Sequence, residues 1–317
     1  MRYIFLLFFF LIFSFVHADE VILNARKEFQ PLPLYAYTYD DVSDTATLGD
    51  VMHAKWNPPA EDGLNFGIAT HPAWLRINMV NPDSIHLIRY IYIPYHHINF
   101  VDAYQLKEDS VISHLATGTA RPYHNKPLLS RGYPIKINMD PKERISVFIR
   151  LDHRNLPLRA SLFLLSEENM RNSISSFEGL MWFWKGVIAT AALLALVTFI
   201  FVRTRLFLYY GILLIGIVLF VGLEIGDYFQ FFEVDPRNTI IDIKHLGNIL
   251  VIFAFPMFVN ELSPVRELHP RLWKWTMFLI IPFVFLFFIV LIDPVKDTIL
   301  LFIITNYAIY ISALIFF

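Results

Sequence analysis

Cysteine is absent from this 317-residue chain, and charged residues make up only 17% of it. Without cysteine the chain has neither a disulfide framework nor a thiolate metal or redox site. Hydrophobic residues reach 56%, whereas soluble domains average about 45–50% apolar and about 25% charged residues. The net charge of −2 argues against a nucleic-acid partner.

The apolar excess is not spread evenly along the chain. Residues 19–178 have the charge of a soluble domain and many Asn, Pro and His residues, whereas residues 179–317 are mostly apolar. The sequence therefore predicts a globular part followed by a helical membrane part.

Motifs of the common catalytic and cofactor sites are also missing. The chain has no Gly-rich phosphate loop, no Gly-x-Ser-x-Gly elbow and no His-Glu-x-x-His pair. His96-His97 is the one adjacent pair among eleven His residues, and surface or strand-end positions suit these side chains better than a metal site. The acidic pairs Asp40-Asp41 and Glu167-Glu168 are predicted to be solvated turns rather than acid/base pairs. We therefore expect no catalytic residue, no metal, no cofactor and no enzyme activity.

Residues 1–18 have the three parts of a secretory signal peptide. Arg2 supplies the positive charge, Ile4–Phe13 form an apolar stretch, and Val16–Ala18 form a cleavage site. The apolar stretch is shorter than the roughly 20 residues of an ordinary span. An uncleaved anchor is the alternative, and both interpretations place the following domain outside the cytoplasm.

Residues 19–170 have the pattern of strands and turns. Ile135, Ile137 and Met139 alternate with polar residues, which is typical of a half-buried strand. β-branched and aromatic runs of similar length recur. The predicted strands lie within 86–94, 100–109, 133–154 and 158–169. Several short strands predict an all-β sandwich or jelly roll, and residues 171–180 are the predicted connector to the membrane part.

Five membrane spans are predicted from length and hydropathy. Arg203 and Arg205 follow the first span, and Arg266 and Lys274 come after the third, so the positive-inside rule places both loops in the cytoplasm. This orientation agrees with an exported N-terminal domain. The approximate bounds of the spans are 181–202, 206–226, 245–262, 272–292 and 298–317.

The sequence ends inside the fifth predicted span, in "NYAIYISALIFF" (306–317), with no Lys or Arg after it. In the predicted topology this span runs inward, toward the side where basic residues are expected. The four preceding spans argue against a tail anchor and against a buried soluble helix. We therefore expect the chain to be incomplete at its C-terminus, as a gene fragment, a frameshift product or a truncation.

Aromatic residues make up 16% of the chain, and those of the strand-rich part suit stacking against a sugar or another small ligand. Filling of the core is the alternative for most of them. Arg121 and Arg131 flank the loop "RPYHNKPLLSR" and suit an anion, although solvated loop charges are the simpler interpretation. The candidate ligand-binding residues are Trp74, Arg76, Tyr92, Tyr95, His96, Tyr104, Arg121 and Arg131.

Three charged residues of the membrane part are candidates for a polar function. Lys185 lies within about one turn of the outer end of the first span and can extend its ammonium group to the interface. Glu224 and Asp227 lie three residues apart, on one helix face at the outer end of the second span. A functional and a solvated interfacial role stay open for both carboxylates.

Several sequence blocks and the order of the parts are similar to one family. The most recognisable block is "FGIATHPAWLRINMVNP", in which Trp74, Leu75 and Arg76 precede Asn81. Further blocks are "INFVDAYQL", "TGTARPYHNKPLLSRGYPIKI", "RISVFIRLDHRN" and "RTRLFLYYGILLIGIVLFVGLEIGDYFQFF". On these blocks the chain resembles the bacterial seven-transmembrane receptors with diverse intracellular signalling modules (7TMR-DISM), with their type 2 extracellular domain.

The resemblance implies a jelly-roll ectodomain similar to carbohydrate-binding modules, seven spans, and a cytoplasmic histidine kinase, diguanylate cyclase or DNA-binding module. It implies a multi-pass receptor of the bacterial inner membrane with a periplasmic N-terminal domain. Its partners would be a small-molecule or carbohydrate ligand, the lipid bilayer and a signalling module in the same or another chain, and a homodimer is allowed. Against this plan, we expect spans six and seven and the output module to be missing from this sequence, and the enzyme activity of a full-length version, with a histidine kinase or diguanylate cyclase module, stays open.

Two other functions stay open. The chain could be a membrane-anchored periplasmic binding or assembly protein, or an accessory domain of a transporter. A transporter needs polar residues that converge at mid-bilayer, and the predicted spans offer few. The ligand, the output module and the oligomeric state do not follow from the sequence.

Overall fold

The computed structural model describes residues 20–59, 64–95, 97–153, 156–224, 236–278 and 280. The chain divides into two compact units, and each is described by itself. The first contains the strands, and the second contains the long helices together with residues 118–125 and 129–131. The predicted signal peptide and fifth span lie outside the described residues, as does most of the fourth span.

Six strands form the larger sheet: β1 (Val21–Ile22), β3 (Tyr37–Asp40), β5 (Ala73–Val80), β7 (Phe100–Lys107), β8 (Ser110–Thr117) and β10 (Arg144–Asp152). Their order is β1-β5-β10-β7-β8, and β3 also pairs with β5. β1 runs parallel to β5, whereas the other pairs are antiparallel.

Four strands form the second sheet: β2 (Phe29–Pro31), β6 (Leu87–Ile93), β9 (Tyr133–Met139) and β12 (Phe163–Ser166), in the order β2-β12-β6-β9. A separate pair consists of β4 (Asn65–Ala69) and β11 (Leu156–Arg159). The short helix α1 (Leu48–Met52) lies between β3 and β4.

One apolar core joins the two larger sheets. Ile77 and Ile149 from the six-stranded sheet and Ile91 and Ile135 from the four-stranded sheet belong to the same cluster, and each is fully buried. Because the two sheets bury facing side chains against each other, this unit is a β-sandwich. The predicted all-β sandwich is therefore confirmed, and the jelly-roll assignment stays a prediction.

The predicted strands at 86–94, 100–109 and 133–154 correspond to β6, β7, and β9 with β10. The single strand predicted within 158–169 is instead the end of β11 and the short strand β12. These two strands pair with different partners, β11 with β4 and β12 with β2 and β6. The chain changes partners around Ala160, whose backbone N–H donates to Leu64 O at 2.8 Å.

In the described residues after the sandwich, the helices are α2 (Glu167–Val202), α3 (Arg205–Glu224), α4 (Pro236–Leu262) and α5 (Val265–Leu268), and residues 270–278 are also helical. Within the described residues, Glu167–Val202 and Arg205–Gly222 are long and apolar enough to cross a membrane, and Leu246–Leu262 is a shorter apolar helix. The first two predicted spans therefore have helical counterparts, and the total of five spans stays a prediction.

No residue separates the sandwich from α2. β12 ends at Ser166, whose Oγ accepts a hydrogen bond from the Asn169 backbone N–H at 3.2 Å and so satisfies a free donor of the first helical turn. The pair Glu167-Glu168, predicted to be a solvated turn, lies in that first turn, where the helix dipole favours carboxylates. The predicted connector at 171–180 is a continuous part of α2.

Candidate functional site: an aromatic face on the six-stranded sheet

The outer side of the six-stranded sheet carries aromatic and charged side chains in register. Strand residues alternate between the core and this outer side. One row across β3, β5, β10, β7 and β8 consists of Tyr37, Arg76, Phe148, Tyr104 and His114. The neighbouring row consists of Tyr39, Trp74, Arg150 and Asp102. These two rows, together with Trp56, are called the aromatic face.

The segment after β3 folds back over the aromatic face. Asp41 is fully buried and accepts hydrogen bonds from Ser43 Oγ at 2.7 Å and from the Ala46 backbone N–H at 3.1 Å. It is therefore not the solvated turn residue that its acidic pair predicts, since it satisfies donors of the turn. Thr47 and Asp50 then form a capping box that begins α1, and the hydrogen bonds from Thr47 lower the pKa of Asp50.

Trp56 follows α1 and is held over the sheet by two sets of hydrogen bonds. Its Nε1 donates to Val51 O at 3.0 Å. The neighbouring Asn57 exchanges backbone hydrogen bonds of 2.8 and 3.1 Å with Thr38 of β3. The Trp56 ring thus contacts Tyr39 and Phe148, with ring centres 5.9 and 5.7 Å away.

Arg76 lies against two aromatic rings. Its guanidinium carbon is 5.1 Å from the centre of the Tyr37 ring and 5.2 Å from that of Trp56, within the range of cation–π attraction. Its Nε is buried and has no hydrogen-bond acceptor among the described residues. Trp74, on the same side of β5 and 1% exposed, also has a buried Nε1–H that lacks an acceptor in this part of the chain. Two unsatisfied donors thus occupy neighbouring positions on one side of β5.

Three rings form a stack toward the β8 edge of the sheet. Trp74 and Tyr104 have ring centres 6.1 Å apart at an interplanar angle of 22°, and Tyr104 and His114 are 4.3 Å apart at 4°. His114 packs on Tyr104 from β8, the strand on one side of β7. Trp74 packs on Tyr104 from β5, which lies on the other side of β7 beyond β10. Protein rings therefore cover both faces of Tyr104, and this half of the aromatic face is not an open stacking platform.

Charge on the aromatic face is balanced around Arg150. Its Nη1 is 3.8 Å from Asp102 Oδ2, and its Nη2 is 3.5 Å from Asp152 Oδ2. His114 Nε2 lies 3.6 Å from the other oxygen of Asp102. Both carboxylates are buried, so Arg150 supplies the positive charge that their burial requires. Arg76 has no such carboxylate in the described structure.

The predicted ligand-binding residues do not all come together. Trp74, Arg76 and Tyr104 lie on the aromatic face, whereas Tyr92 lies on the outer side of the four-stranded sheet, between Pro134 and Phe163. Tyr95 follows β6 and donates from its hydroxyl to Pro157 O at 3.0 Å. His96 lies outside the described residues.

Arg131 is a buried ion-pair residue of the helical unit. Its Nε is 3.1 Å from Glu178 Oε1 and its Nη2 donates to Glu178 Oε2 at 3.4 Å, while its guanidinium carbon is 4.6 Å from the centre of the Phe177 ring. The interpretation of this residue as a solvated loop charge is therefore wrong, because it is 8% exposed. Arg121 is half-buried.

The charged candidates of the membrane part are only partly described. Lys185 Nζ lies 4.3 Å from the centre of the Trp182 ring, one turn earlier on α2. Glu224 is the last residue of α3, and Asp227 lies outside the described residues. Within the described chain, no three His, Asp or Glu side chains form a group that could hold a metal ion.

Sequence reasoning misses Trp56, Tyr37 and His114 as members of the aromatic face. Trp56 lies in a loop with no periodic pattern, and its contact with the sheet depends on how that loop folds back. The alignment of His114 with Tyr104 follows the irregular pairing of β7 with β8, which shifts register next to Gln105. The spacing of Thr47 and Asp50 is the one local signal, since it is that of a capping box.

Comparison with known proteins yields two family matches. The model for the 7TMR-DISM extracellular 2 domain matches residues 34–165, and the model described as 7TM diverse intracellular signalling matches residues 178–317. No curated protein matches the sequence.

Among solved structures, a family 35 carbohydrate binding module from Clostridium thermocellum is similar over 44% of this chain and 99% of that module. The sequence identity is 8% and the TM-score is 0.24, too low to support any conclusion about fold or ligand.

The two family matches cover the sandwich and the helical unit in turn, and together they account for most of the chain. The extracellular model places the sandwich outside the cell, ahead of a helical membrane region. The chain is therefore a membrane protein of the 7TMR-DISM family, with an external N-terminal sensory domain.

Proposed function

We propose that this chain is the sensing part of a receptor in the bacterial inner membrane. The sandwich binds a small ligand in the periplasm, with carbohydrates as one candidate class, and the helices relay binding to a cytoplasmic signalling module in the same or another chain. A homodimer is compatible with this arrangement. Family membership supports the receptor class.

The observation that carries the relay is the uninterrupted junction between strand and helix. β12 pairs with both β2 and β6 and is followed directly by α2, without a flexible linker. A ligand that binds two states of the sandwich with different affinities would therefore act on a strand that continues into the first span.

The loop between β8 and β9 supports the same proposal. Residues 118–125 and 129–131 belong to the helical unit, although the strands before and after them belong to the sandwich. Arg131 and Glu178 hold this loop on α2. Removal of Glu178 would leave the buried Arg131 guanidinium without its carboxylate, which costs on the order of 3 kcal/mol in a fully buried pair and less here, because Glu178 is half-buried.

The relay can be tested with fluorescent labels, because the chain has no cysteine of its own. The full chain with Ser176→Cys, an exposed position on α2, would be labelled with bimane in lipid nanodiscs. We expect a ligand found by thermal-shift screening of sugars and metabolites to change the bimane emission. Arg131→Gln should reduce this change while the ligand still binds.

A matched label at Ser110→Cys, the exposed first residue of β8, is the control for a general effect of the ligand on the dye. A ligand that raises the unfolding temperature of the protein but does not change the bimane emission at Ser176→Cys would contradict a relay. That result would favour the alternative of a membrane-anchored binding or assembly protein.

A further inference from the structure

We propose that Arg76 binds an anionic group, a carboxylate or a phosphate, on the ligand of the sandwich. The inference rests on the proposed function, since it names the chemistry of the ligand that the same domain takes. The binding site is the Arg76 guanidinium together with the rings of Tyr37 and Trp56, and it lies beside Trp74 on the same strand.

The surroundings of Arg76 leave its hydrogen bonds unused. Tyr37 and Trp56 contact the guanidinium through their π-systems, at 5.1 and 5.2 Å, and such contacts use its charge but none of its N–H groups. The donors of a guanidinium lie in its plane and match two oxygens of a carboxylate or phosphate. Arg76 is half-buried, so the side chain still reaches solvent.

Two other arginines of the sandwich, one buried and one half-buried, have polar partners. Arg89, 7% exposed, donates to the carbonyl oxygens of Asn24 and Ile88 at 3.0 and 2.9 Å. Arg150 lies between two carboxylates. Arg76 has neither kind of partner in the described chain, although its Nε is buried, and buried donors normally find an acceptor.

Trp74, two residues before Arg76 on the same side of β5, is a second residue with an unused donor. Its indole Nε1–H can only donate, and it is buried without an acceptor among the described residues. An oxyanion at Arg76 supplies acceptor oxygens on this side of β5 and the negative charge that Arg76 lacks. A neutral ligand would supply oxygens but would leave the positive charge uncompensated.

The binding test uses the full chain in nanodiscs and isothermal titration calorimetry. The probes are acetate, inorganic phosphate, glucuronate and glucose 6-phosphate, with glucose as the neutral counterpart of the last two. We expect at least one anionic probe to bind about tenfold or more tightly than glucose, because only the anion pairs with the guanidinium. Absence of binding by all four anions overturns the inference, as does equal affinity for glucose and its anionic counterparts.

Variants then assign the binding to Arg76. Arg76→Gln should abolish anion binding, and Arg76→Lys should weaken it about tenfold, since Lys keeps the charge and the cation–π contact but loses the planar fork. Arg144→Gln, which removes an exposed charge from β10, is the matched control and should bind as the unaltered chain does. Thermal unfolding of each variant shows whether the fold is kept, and the Arg76→Lys variant keeps the test decisive if Arg76→Gln unfolds.

The result also separates this inference from the proposed function. Anion binding that depends on Arg76 but does not change the bimane emission at Ser176→Cys would support the anion site and contradict the relay. A neutral sugar that changes the label and binds equally well to Arg76→Gln would support the receptor and overturn the anion site.

Discussion

At the scale of single residues, Gly132 shows how closely the loop before β9 approaches β6. A Cβ atom at this position would contact the carbonyl oxygen of Ile93 and would lie 2.6 Å from Cε2 of the Tyr92 ring. The backbone carbonyl of Ile93 cannot move aside as a flexible side chain can. The Tyr92 ring therefore has a packing role that requires glycine at position 132.

Replacement of Gly132 by Ala is therefore expected to destabilise the sandwich by about 1–3 kcal/mol, the usual range for overpacking. Thermal unfolding of the full chain in detergent, followed by near-UV circular dichroism, measures the effect. Gly179→Ala is the control, because nothing lies within 4 Å of its added Cβ and alanine favours the helix. Equal unfolding temperatures for the two variants would contradict this assignment.

The pair Lys107–Glu143 makes the stability of the sandwich depend on pH. Their Nζ and Oε1 atoms are 2.8 Å apart, and the hydrogen bond lowers the pKa of Glu143 and raises that of Lys107. The folded-state pKa of Glu143 thus lies below its unfolded value of about 4.3. Its contribution to stability is present above that value and is lost as the pH falls through the folded pKa.

We therefore expect the unfolding temperature to drop between about pH 5 and pH 3, and Lys107→Met to make that drop smaller. Thermal melts across this pH range measure both effects. The control is Lys136→Met, which removes an exposed lysine from β9. If Lys107→Met follows the same pH profile as the unaltered chain, Glu143 does not have the assigned role.

At the scale of elements, α3 and α4 pack through two glycines. A Cβ on Gly216 would lie 2.9 Å from the carbonyl oxygen of Gly247, and one on Gly247 would lie 2.7 Å from the backbone nitrogen of Phe220. The rings of Tyr210 and Phe258 stack on the same pair of helices, with centres 5.4 Å apart. Small residues of this kind let membrane helices approach closely, where lipid provides no hydrophobic drive between them.

Substitution of Gly216 by Val should push α3 and α4 apart and lower the stability of the helical unit by about 1–3 kcal/mol. Unfolding in mixed micelles with increasing SDS, followed by loss of helical circular dichroism, measures this change. Gly186→Val on α2 introduces the same side chain where nothing lies within 4 Å of the Cβ, and should have little effect. Identical SDS midpoints for the two variants would show that the glycine contact is not needed.

At the scale of the whole molecule, the charge distribution makes a prediction about topology. Arg203 and Arg205 flank the turn between α2 and α3, and an external sandwich requires this turn to lie inside the cell. A cysteine at Thr204 should therefore resist a membrane-impermeant maleimide in spheroplasts and react after lysis. A cysteine at Ser110 should react in both. Labelling of Thr204→Cys in intact spheroplasts would reverse the predicted orientation.

The order of a sandwich and a helical membrane part could be predicted from the sequence alone, because both depend on local periodicity. Ile135, Ile137 and Met139 alternate as predicted, since a strand places every second residue in the core. The first two spans need only length and apolar composition. The start of α2 at Glu167 also depends on a local contact, because the Ser166 side chain caps the first turn. The apolar strand pattern just before Ser166 favours a longer strand, so the sequence does not show where the helix begins.

Only the tertiary structure decided which residues meet. Arg76 and Trp74 share a strand, but Tyr37 and Trp56 reach Arg76 from β3 and from a loop with no pattern of its own. The sequence likewise predicts Arg131 to be a solvated loop charge, whereas in the fold it forms an ion pair with Glu178 of α2. Composition and periodicity determine which residues become buried, because burial follows from local pattern and apolar area. Contacts between residues distant in sequence depend on strand register and on the path of the loops, which a hydrophobic pattern of period two or 3.6 does not encode.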